Sequence, residues 1–284
     1  MSIRDHAEDA YEVLKASGFS KADVIIGHSQ GVAVALEFVL LYPAAAEAVI
    51  LLNGSHGQVL TTAFQPAFRI PLMRDFVCRL IDFGVRRPWV LKLYRDWVLQ
   101  PWVDCWIPIY TRIFGSRLLM SSPLFGHEYL KKFFDSYLGG LVKSEENLIA
   151  WLRIFQALDA HSVWHYLHLV EHPTLIISGL WDVFTPAVCS FQMARRMPNA
   201  RHFCDVFSSH ATLLENPAVC LSEIEDFLNP LGTFPRFERQ SSCKFTRLAK
   251  PSTKDAPETE TENSPIPIPN LPPTPQDRPA KRPS

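Results

Sequence analysis

The segment from Asp23 to Asn53 constrains the fold more than any other. An apolar run, Asp23 to Gly27, enters the turn Gly27-His28-Ser29-Gln30-Gly31, and the chain leaves it as an Ala-, Val- and Leu-rich stretch from Gln30 to about Leu41. Tyr42-Pro43 ends that stretch, and a second apolar run follows from Ala48 to Asn53. Short apolar runs without alternation are what strands buried on both faces look like. Strand, helix and strand in this order predict a β-α-β unit with a right-handed parallel crossover. Upstream, Ser2 and Asp5 have the spacing of a capping box, and Ile3, Ala7, Ala10, Tyr11 and Leu14 fall on one helical face. That helix should run to Lys15 or Ala16 and stop at Gly18.

From Gly54 to about Glu171 strand runs disappear, and Phe, Trp, Tyr and Leu recur at spacings of three and four. Helices are expected near Met73–Phe83, Pro88–Val98, Tyr129–Leu138 and Glu145–Leu158. The parallel pattern then returns, with strands predicted at Pro173–Gly179 and Ala200–Phe207. Helices should follow at Pro186–Met197, capped by Thr185, and at Pro217–Leu228. The fold class is therefore α/β, with about four parallel strands. Ten of the 23 prolines lie in the last 35 residues, and residues 251–284 hold no aromatic side chain. Such a stretch cannot offset its ordering entropy by burial, so 230–284 reads as a disordered tail.

Composition narrows the function classes. With 47% hydrophobic residues the chain can bury a sizeable core, and a net charge of −1 lacks the basic excess of a nucleic-acid binder. The N-terminus carries Arg4, Asp5, His6, Glu8 and Asp9, too charged for a signal-peptide core. The longest charge-free stretch, Ala48 to Phe68, holds Asn53, Gly54, Gly57 and Pro66, which speaks against a transmembrane helix. The cysteines, Cys78, Cys105, Cys189, Cys204, Cys220 and Cys243, form no C-x-x-C pair and read as reduced thiols of an intracellular compartment.

The chemistry centres on Ser29. A bare G-x-S-x-G arises by chance, but this one sits between a strand and a helix. There, small neighbours at Gly27 and Gly31 let the backbone bend and lift the hydroxyl clear of the sheet. The Gln30 N–H, at a helix N-terminus, would face a developing oxyanion. A serine hydroxyl needs a base, and the base an orienting carboxylate. Asp182 lies three residues after Gly179, and His210 lies just past the strand ending at Phe207. Both fall at carboxyl ends of parallel strands, the sheet edge that also carries Ser29, where reactions in open α/β sheets gather. Either residue alone would read as a helix cap or a surface histidine. The order Ser, Asp, His gives them a joint meaning.

At these residues the chain resembles an α/β-hydrolase over about residues 2–229. The resemblance rests on Gly27–Gly31, on the strand and turn Pro173–Asp182, and on the Ser209–Pro217 segment. It implies Ser29 as nucleophile, His210 as general base and then acid, Asp182 as its orienting partner, and a helical lid at 54–171 on a core formed by 1–53 and 172–229. A serine nucleophile separates it from dehalogenase- and epoxide-hydrolase-like branches, which use aspartate. One departure is serious. The family carries four strands, and a His-Gly loop supplying a second oxyanion donor, before the helix at which Met1 sits. The expectation is the C-terminal part of the fold, from a fragment, an alternative start or a mispredicted gene, with a short partner-completed protein as the minority reading. The strand at 23–27 would have an open edge, and Ile3, Tyr11 and Leu14 would be exposed. The implied activity is hydrolysis of an ester or thioester of a small apolar acyl substrate without metal or organic cofactor. The rival is a non-catalytic module that binds a partner through the open sheet edge.

Weaker signals remain. His161, His165, His168 and His172 have helical spacing, which suggests a metal site, but the favoured reading is the polar face of the last lid helix. The stretch Trp89–Tyr110 could line a substrate tunnel, touch a membrane, or pack lid on core. Packing with some pocket lining is favoured. Pro269-x-x-Pro272 and Pro272-x-x-Pro275 permit docking by polyproline-recognising domains, though a Pro-rich tail carries such patterns by default.

Overall fold

The computed structural model describes residues 2–62, 72–121 and 127–231. The predicted disordered tail and its polyproline motifs lie outside the described residues. Helix α1 (Ile3–Ala16) opens the chain, and the Ser2 hydroxyl and Asp5 carboxylate cap it reciprocally. Strand β1 (Ala22–His28), helix α2 (Gln30–Leu41) and strand β2 (Ala46–Leu52) form the expected β-α-β unit. The sheet continues with β3 (Thr174–Gly179) and β4 (Ala200–Asp205), in the order β1-β2-β3-β4, and every neighbouring pair is parallel.

Alternation along the strands builds two apolar layers. Val49, Leu51 and Ile176 join the cluster holding Ala7, Leu36, Phe38 and Met193, from α1, α2 and α9 (Ala187–Arg196). Ile50, Leu52, Leu175 and Ile177 point to the opposite face and meet Cys220 and Ile224 of α11 (Pro217–Leu228). Burial of α1 corrects one expectation. Ile3 is 1% exposed, and Tyr11 and Leu14 pack against the core, because α1 lies on α2 and Tyr11 stacks on Tyr42. The β1 edge is open as expected: among the described residues β1 pairs on one side only, and Ile26 is 59% exposed.

Between β2 and β3 the described residues form α3 (Val59–Thr62), α4 (Met73–Val85), α5 (Pro88–Tyr94), α6 (Gln100–Ser121), α7 (His127–Val142) and α8 (Glu145–Ala160), and no strand. Asp159 ties this segment together: it accepts from the Leu60 N–H at 2.9 Å and pairs with Arg74 at 2.9 Å. Helix α6 was not foreseen. Pro101 follows directly on a π-helical stretch, Arg95–Leu99, that joins α5 to α6 without a break, and Pro108 sits inside α6 without ending it. Packing of the tryptophans is looser than expected, since Trp89, Trp97 and Trp102 are exposed while Trp106 stacks on Tyr110.

The histidine spacing at 161–172 is not realised on one helix, because α8 ends at Ala160 and a separate short turn follows at Trp164–Leu169. Among the described residues no cluster of His, Cys, Asp and Glu could hold a metal ion. None of the described helices is long and apolar enough to cross a membrane.

Candidate functional site

Three chain segments converge at the carboxyl ends of the strands. The first is the turn after β1. Ser29 has φ 55° and ψ −117°, an unusual backbone for a non-glycine residue, and it stands immediately before α2. Gly27 makes this turn possible: a Cβ there would lie 2.3 Å from the Gly31 carbonyl oxygen. Gly31 differs from the expectation, because a Cβ there would meet nothing within 4 Å. Gln30 is the first residue of α2, so its N–H is one of those a helix leaves without an intrahelical acceptor.

The second segment follows β3. The Asp182 carboxylate is buried, and five donors converge on it. Oδ1 accepts the N–H groups of Phe184 at 2.9 Å and Thr185 at 2.8 Å. Oδ2 accepts the Thr185 hydroxyl at 2.7 Å, Asn53 Nδ2 at 3.1 Å and His210 Nδ1 at 2.9 Å. Thr185 is therefore a partner of Asp182, and not the expected cap of α9, which begins after Pro186 with no side-chain cap.

The third segment, after β4, carries His210. Its Nε2 lies 2.9 Å from Ser29 Oγ. Serine, histidine and aspartate thus form one hydrogen-bonded chain across residues 29, 210 and 182. The approach of the His210 loop depends on Gly179, where a Cβ would lie 2.3 Å from the Ser209 carbonyl oxygen. His28 Nε2 donates to the His210 carbonyl at 3.0 Å. The His28 ring faces an open groove but loses enough water for burial to depress its pKa, which keeps it a neutral donor.

Sequence reasoning missed two members of this site. Asn53, at the end of β2, is 0% exposed and has φ 47°. Its Nδ2 donates to Asp182 and, at 2.9 Å, to the Ser209 carbonyl, and so joins the acid to the histidine loop. Glu215, in the four-residue helix α10 (Thr212–Glu215), is buried beside the same loop, and its carboxylate accepts both the N–H and the hydroxyl of Ser209. The available signal was position alone: one is a polar residue at a strand's carboxyl end, the other an acid a few residues past the histidine.

Ser29 opens onto a groove of about 510 Å³ lined by Ile25, Ile26, Val34 and Phe38, with His28 at its rim. His6, Gln30 and Tyr137 line the same groove, so the surface beside the hydroxyl joins apolar side chains to imidazole, amide and phenol groups.

No protein-family model matches the chain. In sequence it is 24% identical over 229 residues to "Putative carbamate hydrolase RutD" of Pseudomonas savastanoi pv. phaseolicola, covering 80% of this chain and 75% of that protein. The protein of the same name from Pantoea ananatis is 23% identical over 236 residues, covering 82% and 73%. Among solved structures, an alpha/beta hydrolase from a Medee basin deep-sea metagenome library superposes with TM-score 0.55 at 19% identity, covering 78% of this chain and 70% of that one. A hydrolase from Pseudomonas aeruginosa PA01 gives TM-score 0.54 at 19% identity, covering 80% and 72%. The proteins that this chain resembles are thus hydrolases, and with its parallel sheet and the turn at Ser29 the chain has the α/β-hydrolase fold.

Proposed function

We propose that this chain is a serine hydrolase that cleaves an ester or thioester of an apolar acyl substrate through an acyl-enzyme. The observation that carries the reading is the continuous hydrogen-bonded chain Ser29 Oγ, His210 Nε2 and Nδ1, Asp182 Oδ2, with 2.9 Å at each link. Ser29 Oγ attacks the substrate carbonyl carbon while His210 Nε2 takes the hydroxyl proton. Asp182 holds Nδ1–H and stabilises the imidazolium that forms. The Gln30 N–H, backed by the N-terminus of α2, meets the developing oxyanion. His210 gives its proton to the leaving alcohol or thiol, and the acyl group stays on Ser29. Water then attacks, losing a proton to His210, and the acid departs as Ser29 recovers its proton. The groove of Ile25, Ile26, Val34 and Phe38 favours an apolar acyl group. The helical segment at 54–171 acts as a lid, since α6 and α7 pack against Ala211 and Leu214, next to His210. Similarity to hydrolases in sequence and fold supports the same class.

The open β1 edge favours a second reading, a non-catalytic module that binds a partner there. Fluorophosphonate labelling separates the two. The hydrolase reading expects covalent labelling of the wild type and none of Ser29→Ala. Absent labelling, or labelling unchanged in Ser29→Ala, would overturn it.

A further inference from the structure

Among the buried ionisable groups that the catalytic reading leaves unused, Glu215 is the one that bonds to the residue before His210. Glu215 is 2% exposed, and its carboxylate is turned to the histidine loop, accepting the Ser209 N–H and hydroxyl before His210 and the Ala211 N–H after it. The Ser209 hydroxyl has a single hydrogen, given to Glu215, so it can only accept from the Tyr110 hydroxyl, 3.0 Å away. Tyr110 belongs to α6, in the helical segment, and packs with Val103, Ile107 and Phe134 against Ala211, the residue after His210. One side chain therefore grips the histidine loop and, through one hydroxyl, the helix lying over it.

Much of the rest of the loop is held by groups that do not ionise near neutrality. The Trp181 N–H donates to the Ser208 carbonyl at 3.0 Å. Asn53 Nδ2 and the Thr212 hydroxyl donate to the Ser209 carbonyl at 2.9 Å and 2.8 Å. Two ionisable side chains also hold it, His28 through the His210 carbonyl and Glu215 through Ser209. Burial raises the Glu215 pKa to about 7 against the opposing pull of the Ser209 and Ala211 backbone. The titratable groups around it are Asp205 of β4, Cys220 of α11, Tyr110 of α6 and His210 itself. Asp205 accepts from Ser208 and Asn216, and burial, helped by Asp205 and Glu215, holds the Cys220 thiol at about 12.

We propose that Glu215 is a positioning residue for His210, and that its hydrogen bonds to Ser209 couple the seating of α6, through Tyr110, to the alignment of the histidine with Ser29. Glu215 touches no reacting atom and acts through the loop. The proposal rests on the reading of Ser29, His210 and Asp182 as the reacting group. The ionised carboxylate accepts both Ser209 donors; the protonated acid instead donates to the Ser209 hydroxyl, which must then give its hydrogen to Tyr110, so protonation reverses the bond that joins the loop to α6.

The test compares the wild type with Glu215→Gln, Ser209→Ala and Tyr110→Phe. It measures the melting temperature, hydrolysis of a short p-nitrophenyl ester, and the rate of fluorophosphonate labelling across pH 5 to 9. Glu215→Gln should stay folded, keep KM, and lose about 10²-fold in kcat and labelling rate, the usual cost of misplacing a reacting group by about an ångström. Tyr110→Phe, which removes one hydroxyl, should lose about tenfold. On the acid side the wild-type rate should fall with the steepness of two ionisations, and that of Glu215→Gln with one. A structural role alone would lower melting temperature and leave the rate of the folded protein and the steepness unchanged, which would overturn the proposal. If Glu215→Gln fails to fold, Tyr110→Phe decides, and a folded variant with wild-type rates refutes the coupling. Wild type that does not label at Ser29 sinks the hydrolase reading together with this one. Labelling that needs Ser29 but ignores all three substitutions sinks this one alone.

Discussion

Asp182→Asn should remove nearly all turnover while leaving the protein folded, and the structure says why. The new amide has two orientations. In one its oxygen takes the place of Oδ1 and keeps the N–H groups of Phe184 and Thr185, and its NH2 faces His210, Thr185 and Asn53. Thr185 can rotate its hydroxyl to accept, and only the contact with Asn53 Nδ2 sets donor against donor. In the other orientation two backbone donors are stranded, which costs more by about one hydrogen bond, roughly 1 kcal/mol. The first orientation therefore prevails, and it forces His210 Nδ1 to be the acceptor. The ring proton then sits on Nε2, facing Ser29, where a base is needed. A histidine held in this tautomer typically costs about 10⁴-fold in turnover, or about 5 kcal/mol of transition-state stabilisation. Stability should fall by only about 1–3 kcal/mol, from the unpaired Asn53 donor. Steady-state hydrolysis of a p-nitrophenyl ester, with a thermal melt on the same sample, reads both quantities. Turnover within tenfold of wild type in a folded variant would refute the tautomer argument and give the orienting role to another residue.

His210→Ala should abolish hydrolysis at least as fully, and near-normal activity in it would mean that another base serves Ser29. Asn53→Asp replaces a donor by a second carboxylate 3.1 Å from Asp182, so it should destabilise the protein and move the acid limb of the rate profile to higher pH, because extra negative charge favours the protonated ring; an unmoved limb would show that Asn53 does not sense the pair. Gly179→Ala should cost several kcal/mol or abolish folding, since its methyl group would overlap the Ser209 carbonyl; a wild-type melt would show that the loop can retreat. Burial holds the His56 pKa down to about 4, against about 6.5 unfolded. Its stabilising contribution should therefore be full above about pH 6.5, decline as pH falls towards 4, and amount to about 3 kcal/mol; a pH-independent melt between 7 and 5, or no flattening in His56→Phe, would contradict this.

The legible part of the molecule was the part whose signals are local. Val24–Ile26, the glycine-bounded turn and the Ala-rich stretch after it specify strand, turn and helix in consecutive residues. The parallel arrangement then sends Ser29, Asp182 and His210 to one sheet edge. Helix α6 was hidden because proline interrupts most helices, whereas here the helical run continues through both Pro101 and Pro108. Asn53 and Glu215 were hidden for another reason. Asn53 works on partners more than 100 residues away, Asp182 and Ser209, and Glu215, though it bonds to Ser209 six residues before it, shows its link to α6 only through Tyr110. No window of sequence contains such a contact. Gly31 shows the converse error: the motif made it look necessary, yet the structure leaves room for a side chain there.

The open edge of β1 has a consequence that can be measured apart from catalysis. β1 bonds to β2 from Ala22 to His28, and among the described residues its other side offers unpaired N–H and C=O groups. Its residues are those of a buried strand, with Val24, Ile25 and Ile26 in succession, and no lysine or proline interrupts them. An apolar edge of this kind is a template for pairing with another chain. The 284-residue protein should therefore self-associate at micromolar to millimolar concentrations, where exposed strand edges find one another. Ile26→Lys places a charge on the exposed centre of that edge, and it should return the protein towards monomer with little change in melting temperature, since Ile26 is already 59% exposed. The exposed helical surface offers the competing route, with Trp97 78% exposed. Light scattering and sedimentation on wild type, Ile26→Lys and Trp97→Gln separate the two. Association removed by Ile26→Lys and kept by Trp97→Gln assigns the contact to the strand edge. Monodisperse wild type throughout that range, or association relieved only by Trp97→Gln, would refute the edge argument.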